Sequence, residues 1–312
     1  MPRVSLSLWN KSDARSAVDT IIEAESMGIG ALWTDVGRST PDPVTFLAAA
    51  LWATKSIQVG IGIVPTFPRH PAVLANQAQS LYQIGGDRTR LGVGPSHAHI
   101  IHDAYGLPFD RPLEHLREYL TVLRALLTTG TCQFSGDHYT VDVTLSEPAP
   151  LPIYMSALRP KAMRLAGELA DGVLTWLSPI DYLHDVSIPA LDSGAAVSNR
   201  QRPQVVGAWP CVVSEDPDVV WDAVGPMMSV YANLPFYKGV LEAAGITVPT
   251  GRWSIEALDR VVFWGSPERI DARIQDAHQA GIDEVSLHVY APHTVTAAEI
   301  HQLATVWQSS TP

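Results

Sequence analysis

Residues 57–64 read Ile57-Gln58-Val59-Gly60-Ile61-Gly62-Ile63-Val64 (IQVGIGIV). The run is far too short to span a membrane and is almost continuously apolar. A strand with one wet face alternates apolar and polar residues; a strand covered on both faces does not. The stretch therefore predicts a strand buried on both sides, as in parallel sheets whose crossovers are helices.

The neighbouring segments carry the same logic outward. Strand patterns recur at 4–9, 30–34, 90–94, 152–156, 172–176, 205–213 and 284–289. Helical spacing fills the intervals: a run capped by Ser12 and closed by Gly28, then 41–53, 72–83, 113–128, 160–170, 217–231 and 296–308. Strand–helix alternation of this kind implies a parallel sheet. Eight units predict an α/β fold, a (β/α)8 TIM barrel, for which about 250 residues suffice. A doubly wound open sheet is the alternative, because strand count alone does not close a barrel. The whole chain, 1–312, reads as a single domain with insertions. Residues 130–150 form a hairpin pattern with Gly136-Asp137-His138 at the turn. Residues 178–203 and 226–258 read as loops or lids, and Val261–Trp264 as an extra strand before a helix capped by Ser266.

Composition narrows the function. The 312 residues are 46% hydrophobic and 17% charged, enough for a large core, and the net charge of −11 disfavours nucleic acid and anionic membranes as partners. No stretch approaches the roughly 18 apolar residues of a membrane span, and the N-terminus lacks a signal-peptide core. Two distant cysteines, Cys132 and Cys211, fit a reduced, cytoplasmic setting. A small molecule is the expected partner, and a homodimer is left open.

In a barrel the active site lies at the C-terminal strand ends. There the sequence places Asp35, Gly62, Ile63, Gly94, Ser96, His97, Ser156 and Trp176. The pair His97 and His99 has three readings: metal ligands, an acid/base site, or loop histidines bonded to backbone. No metal is expected, since the strands ending at Ser156 and Trp176 offer no further nitrogen ligand. Ser156-Ala157-Leu158-Arg159 ends a strand and opens a helix, which suits an anion. Glycine within the buried strand, at Gly60 and Gly62, marks a bulge, a close approach to a ligand, or tight helix packing.

Several motifs carry a resemblance. Gly60–Ala75, Arg88–His97, Asp110–Leu120 and Arg164–Trp176 resemble, in order, segments of the luciferase-like monooxygenase superfamily, as do 234–237 and 265–268. They look most like the branch that uses the deazaflavin coenzyme F420, similar to methylenetetrahydromethanopterin reductase. The resemblance implies a (β/α)8 barrel with its largest insertion between strands seven and eight. It implies a cofactor across the strand ends, held by Asp35, Gly62, Ile63, Gly94, Ser96, His97, Ser156, Ala157, Leu158, Arg159 and Trp176. A bulge with a non-prolyl cis peptide would fall at Gly62-Ile63, and the coenzyme's phosphate near Ser156–Arg159. Two departures matter. Val36 follows Asp35 where the sugar-phosphate dehydrogenase branch has histidine, and His97 stands where that branch has glutamate. Both favour a reductase acting on a C=C or C=N bond, with His97 as proton donor or substrate orienter. An FMN-dependent monooxygenase and a non-catalytic cofactor-binding protein are the alternatives.

Overall fold

The computed structural model describes residues 4–8, 13–37, 40–248 and 251–290. The two-sided apolar run becomes strand β3 (Gln58–Pro65), flanked by β2 (Ala31–Thr34) and β4 (Thr89–Gly94), with β1 (Val4–Leu8) on the far side of β2. A hairpin follows, β5 (Thr131–Ser135) and β6 (Thr140–Thr144), then β7 (Ile153–Ser156), β8 (Gly172–Trp176), β9 (Gln204–Val213), β10 (Phe263–Gly265) and β11 (Glu284–Val289). All eight strands read from the sequence are present. They run parallel in the ring β1-β2-β3-β4-β7-β8-β9-β11, and β11 pairs with β1. These pairings close the sheet and rule out the doubly wound alternative: the fold is a TIM barrel.

Helix termini follow local chemistry. The first helix, Ala14–Ser26, is capped by Asp13, whose carboxylate accepts from the Ser16 N–H at 2.9 Å. The expected cap, Ser12, lies outside the described residues; the acid beside it closes the turn instead. Gly28 ends that helix with φ +82, a left-handed conformation glycine adopts without side-chain conflict. Ser266 caps helix Pro267–Gln279 as read. The hairpin turn is held by Glu118, whose carboxylate accepts from the N–H groups of Asp137, His138 and Tyr139.

The insertions differ from their reading. Residues 180–197 are helical, and Ile188–Val197 packs closely on Pro160–Leu169 in the outer wall, with Gly167 and Gly194 at the contact. Residues 226–258 hold the end of helix Pro217–Tyr231, helix Pro235–Ala243 and the start of Ile255–Val261. The extra strand begins two residues later than read, as β10, and pairs parallel with Cys211–Val213 of β9. The helix read at 296–308 lies outside the described residues.

The barrel interior is built in two levels. Register sets Trp33, Gly60 and Arg90 side by side on β2, β3 and β4. A side chain at Gly60 would come within 2.3 Å of the Trp33 ring, so this glycine makes room for the indole. None of the three readings describes Gly60: it is bare to make room for a side chain of the neighbouring strand inside the barrel, not for a bulge, a ligand or a helix. The Arg90 guanidinium lies 4.2 Å over the indole, and Glu284 of β11 accepts from both Arg90 Nη1 and Trp33 Nε1. Tyr154 donates to Gln204 at 2.7 Å beside them. Above this bulky plug the lining includes the small residues Ser7, Gly62, Ser156, Ala208 and Ser286. The upper level is therefore open.

Candidate active site

The opening is a cavity of about 690 Å³ at the C-terminal ends of the strands. Trp33 forms part of its floor. Asp35, Gly62, Ile63, Ser96, His97, Ser156, Ala157, Leu158, Arg159 and Trp176, the residues singled out in the sequence, all line it. Gly94 does not; a side chain there would come within 2.1 Å of Ser156 Oγ, so it makes room for that hydroxyl.

The β3 wall is irregular. Ile61 pairs with Leu91 and Val64 with Val93, one residue more on β3 than on β4, and the Gly62–Ile63 peptide is cis. A side chain at Gly62 would meet no atom closer than 3.5 Å, so bare backbone faces the cavity. Beyond the bulge, Arg69 pairs with Asp42 at 2.6 Å, and His70 Nδ1 accepts from the Ala72 N–H to cap helix Pro71–Gly85. These two residues hold the bulge loop and its helix.

The β7 end meets helix Pro160–Leu169, whose first turn, including Lys161, also borders the cavity. The Ala157 N–H donates to the Leu174 carbonyl, and Tyr182 donates to the Leu158 carbonyl. The turn is thus fixed. Arg159 carries its guanidinium past Gly239 of the insertion, where a side chain would lie 3.5 Å away. Free helical N–H groups, Ser156, Arg159 and Lys161 together suit a phosphate. The bare bulge gives a flat ring a surface to lie on, so the residues present fit a flavin-type coenzyme.

The remaining wall is aromatic. Trp176 and Tyr231 meet edge to face at 6.2 Å, and Tyr231 and Tyr237 at 4.9 Å with planes at 90°. The His97 ring lies 5.8 Å from Tyr237 and 5.9 Å from His99. Tyr231, Phe236 and Tyr237 come from the 226–258 insertion. Helix Ala98–Tyr105, with His97 at its N-cap, was not read. Among the described residues no cluster of three or more His, Cys, Asp or Glu is placed to hold a metal ion.

Two titratable groups face this space. Burial pushes the Asp35 carboxyl up to about 6 against the pull of its own backbone N–H. Burial, and then the neighbouring His99, push the His97 imidazole down to about 4. On the floor beside Asp35, Ser7 and Ser286 share a hydrogen bond of 2.8 Å. Sequence reading missed this pair and Lys161. The signal was there: Ser7 sits at an inward position of β1, two residues above the inward Ser5.

Comparison with known proteins agrees with the architecture. The sequence profile described as luciferase-like monooxygenase matches residues 2–284. The 5,10-methylenetetrahydromethanopterin reductase of Methanolobus tindarius is 26% identical, over 84% of this chain and 86% of its own. The F420-dependent glucose-6-phosphate dehydrogenase of Intrasporangium calvum is 32% identical, over 61% of this chain and 63% of its own. A solved F420-dependent secondary alcohol dehydrogenase, holding an F420-acetone adduct, superposes with a TM-score of 0.85 at 20% identity, over the whole of both chains. No helix among the described residues is long and apolar enough to cross a membrane. With the family profile matched across the barrel, the chain belongs to the luciferase-like monooxygenase family.

Proposed function

We propose that the protein is an F420-dependent oxidoreductase that passes hydride to a small organic acceptor, reducing a C=C or C=N bond. The observation that carries this reading is the cavity itself. It joins a bare-backbone wall at Gly62–Ile63 to a helix N-terminus with Arg159 and Lys161, in a chain whose relatives include enzymes named as F420-dependent. When bound, the coenzyme supplies a two-electron hydride.

The chain's own residues divide the remaining work. Ser156, Arg159, Lys161 and the first N–H groups of helix Pro160–Leu169 hold the phosphate. Gly62 and Ile63 back the ring. Trp176, Tyr231 and Tyr237 exclude water beside the reacting carbon. Asp35, Ser7 and Ser286 orient the acceptor, and His97, neutral above pH about 4, presents a donor and an acceptor nitrogen to it. Reduction is favoured over alcohol oxidation because Val36 and His97 stand where the sugar-phosphate dehydrogenase pattern has histidine and glutamate.

Fluorescence titration tests the cofactor. F420 should saturate the protein and FMN should bind far more weakly. FMN binding without F420 binding would overturn the proposal and favour an oxygen-using flavoenzyme.

A further inference from the structure

Asp35 lines the cavity with no cation of the described residues paired to it. It forms no ion pair with any described residue, and its recorded hydrogen bond is to its own backbone. Besides the Ser7–Ser286 hydroxyl pair, the groups that share its part of the cavity include aromatic rings. Its charge reaches Tyr231 of helix Pro217–Tyr231 and Tyr290, just past β11, and adds to the burial that pushes both phenols up. His288 of β11 packs against Tyr290 at 4.6 Å and against Trp176 at 6.2 Å. The cationic lining groups, Arg159 and Lys161, sit at the end of β7, three strands around the ring from β2. A carboxylate beside perpendicular rings, with no cation of the described residues paired to it, is the recognition chemistry of an organic cation.

We propose that the guest reduced here carries a cationic nitrogen, an iminium C=N whose charge is met by Asp35 and the faces of Trp176, Tyr231 and Tyr237. The inference rests on the hydride-transfer reading above and selects between its two bond types. The electrons balance without a proton from the protein. The iminium carbon takes the hydride, the C=N π pair becomes the nitrogen lone pair, and the guest leaves as a neutral tertiary amine. The proton left on the oxidised coenzyme goes to solvent. A C=C acceptor would instead leave a carbanion to be protonated. Above pH about 6, Asp35 is ionised and His97 neutral, so neither is a ready acid.

The test uses a matched pair, choline and its carbon isostere 3,3-dimethylbutan-1-ol. Both are titrated by calorimetry into the full chain, alone and saturated with F420. At pH about 7.5 choline should bind about tenfold or more tightly than the isostere. The preference should shrink at pH about 5 and disappear in Asp35→Asn, while isostere binding persists as a check on the fold. Choline binding near pH 6 should release protons. Tyr231→Leu, which keeps the carboxylate, should weaken choline more than the isostere. Equal affinities for the pair, no choline binding, or a preference that survives Asp35→Asn would overturn the proposal. These outcomes are independent of the cofactor titration. If F420 fails to bind while the preference holds, the hydride reading falls and the cation site stands; if F420 binds and the preference is absent, the reverse is true.

Discussion

Arg90 and Glu284 form an ion pair across the barrel interior, Nη1 to Oε2 at 2.5 Å, with side chains only 1% and 4% exposed. Glu284 also takes the Trp33 indole N–H, so one carboxylate holds both neighbours of the cavity floor. Removing either partner leaves a buried charge without compensation. Glu284→Gln or Arg90→Met should each lower the unfolding free energy by about 3–5 kcal/mol in a denaturant titration. The double variant should lose clearly less than the sum of the singles. Additive losses would mean the pair is not coupled as its geometry implies.

The two glycines of β3 should respond oppositely. A methyl at Gly60 collides with the Trp33 ring at 2.3 Å, whereas one at Gly62 meets only ordinary contacts. Gly60→Ala should destabilise by about 1–3 kcal/mol through overpacking. Gly62→Val should keep its melting temperature within a few degrees yet lose F420 binding, because its methyls project into the cavity. Thermal melts and a fluorescence titration on both proteins check this, and wild-type F420 affinity in Gly62→Val would displace the ring from the bulge.

Asp35 sets a pH dependence whose sign is fixed. Its ordinary value of 3.8 is raised to about 6, so the folded chain holds this proton more tightly than the unfolded one. Stability from this group is therefore full below pH about 4 and falls as pH rises to about 6, by up to about 3 kcal/mol. His97 and His115, both pushed down to about 4, act the other way: they weaken the fold as pH falls below about 6.5. The opposing slopes partly cancel in the wild type. Asp35→Asn should be more stable than wild type at pH about 7.5, similar to it below pH about 4, and should show the steeper rise between. Unfolding free energies measured across that range decide it.

Arg159 is the exposed arm of the anion site. Arg159→Ala removes a charge-assisted contact of roughly 1.5–3 kcal/mol, so F420 affinity should fall about tenfold to a hundredfold. The remaining affinity should depend less on salt. An unchanged titration would move the phosphate away from the β7 end.

The barrel was legible because two-sided burial leaves a signature. β3 and β9 keep near-continuous apolar runs, and the helices between show regular periodicity. The hidden parts have physical reasons. Arg90 and Glu284 are 194 residues apart and stand at strand starts, where a charge reads as a solvated end. Helix Ala98–Tyr105 carries two histidines and an aspartate in eight residues, which blurs its apolar face. Pro226 and Pro235 break the pattern of the insertion, so its helices read as loop. The cavity was half legible: the strand ends could be read off, but which small inward residues lay above a bulky plug depended on register.

Strand β10 ties the insertion back to the place it left. The chain departs from β9 at Val213 and returns to pair with Cys211–Val213 of the same strand. Both anchors of this excursion therefore lie on one barrel stave, and the length between them is free of the geometry that closes the ring. Tyr231, Phe236 and Tyr237 ride on it, whereas Gly62, Ser156 and Arg159 do not. The chain is built as a fixed socket with an exchangeable cassette: grafting residues 214–262 from a relative should transplant guest preference and leave coenzyme affinity in place.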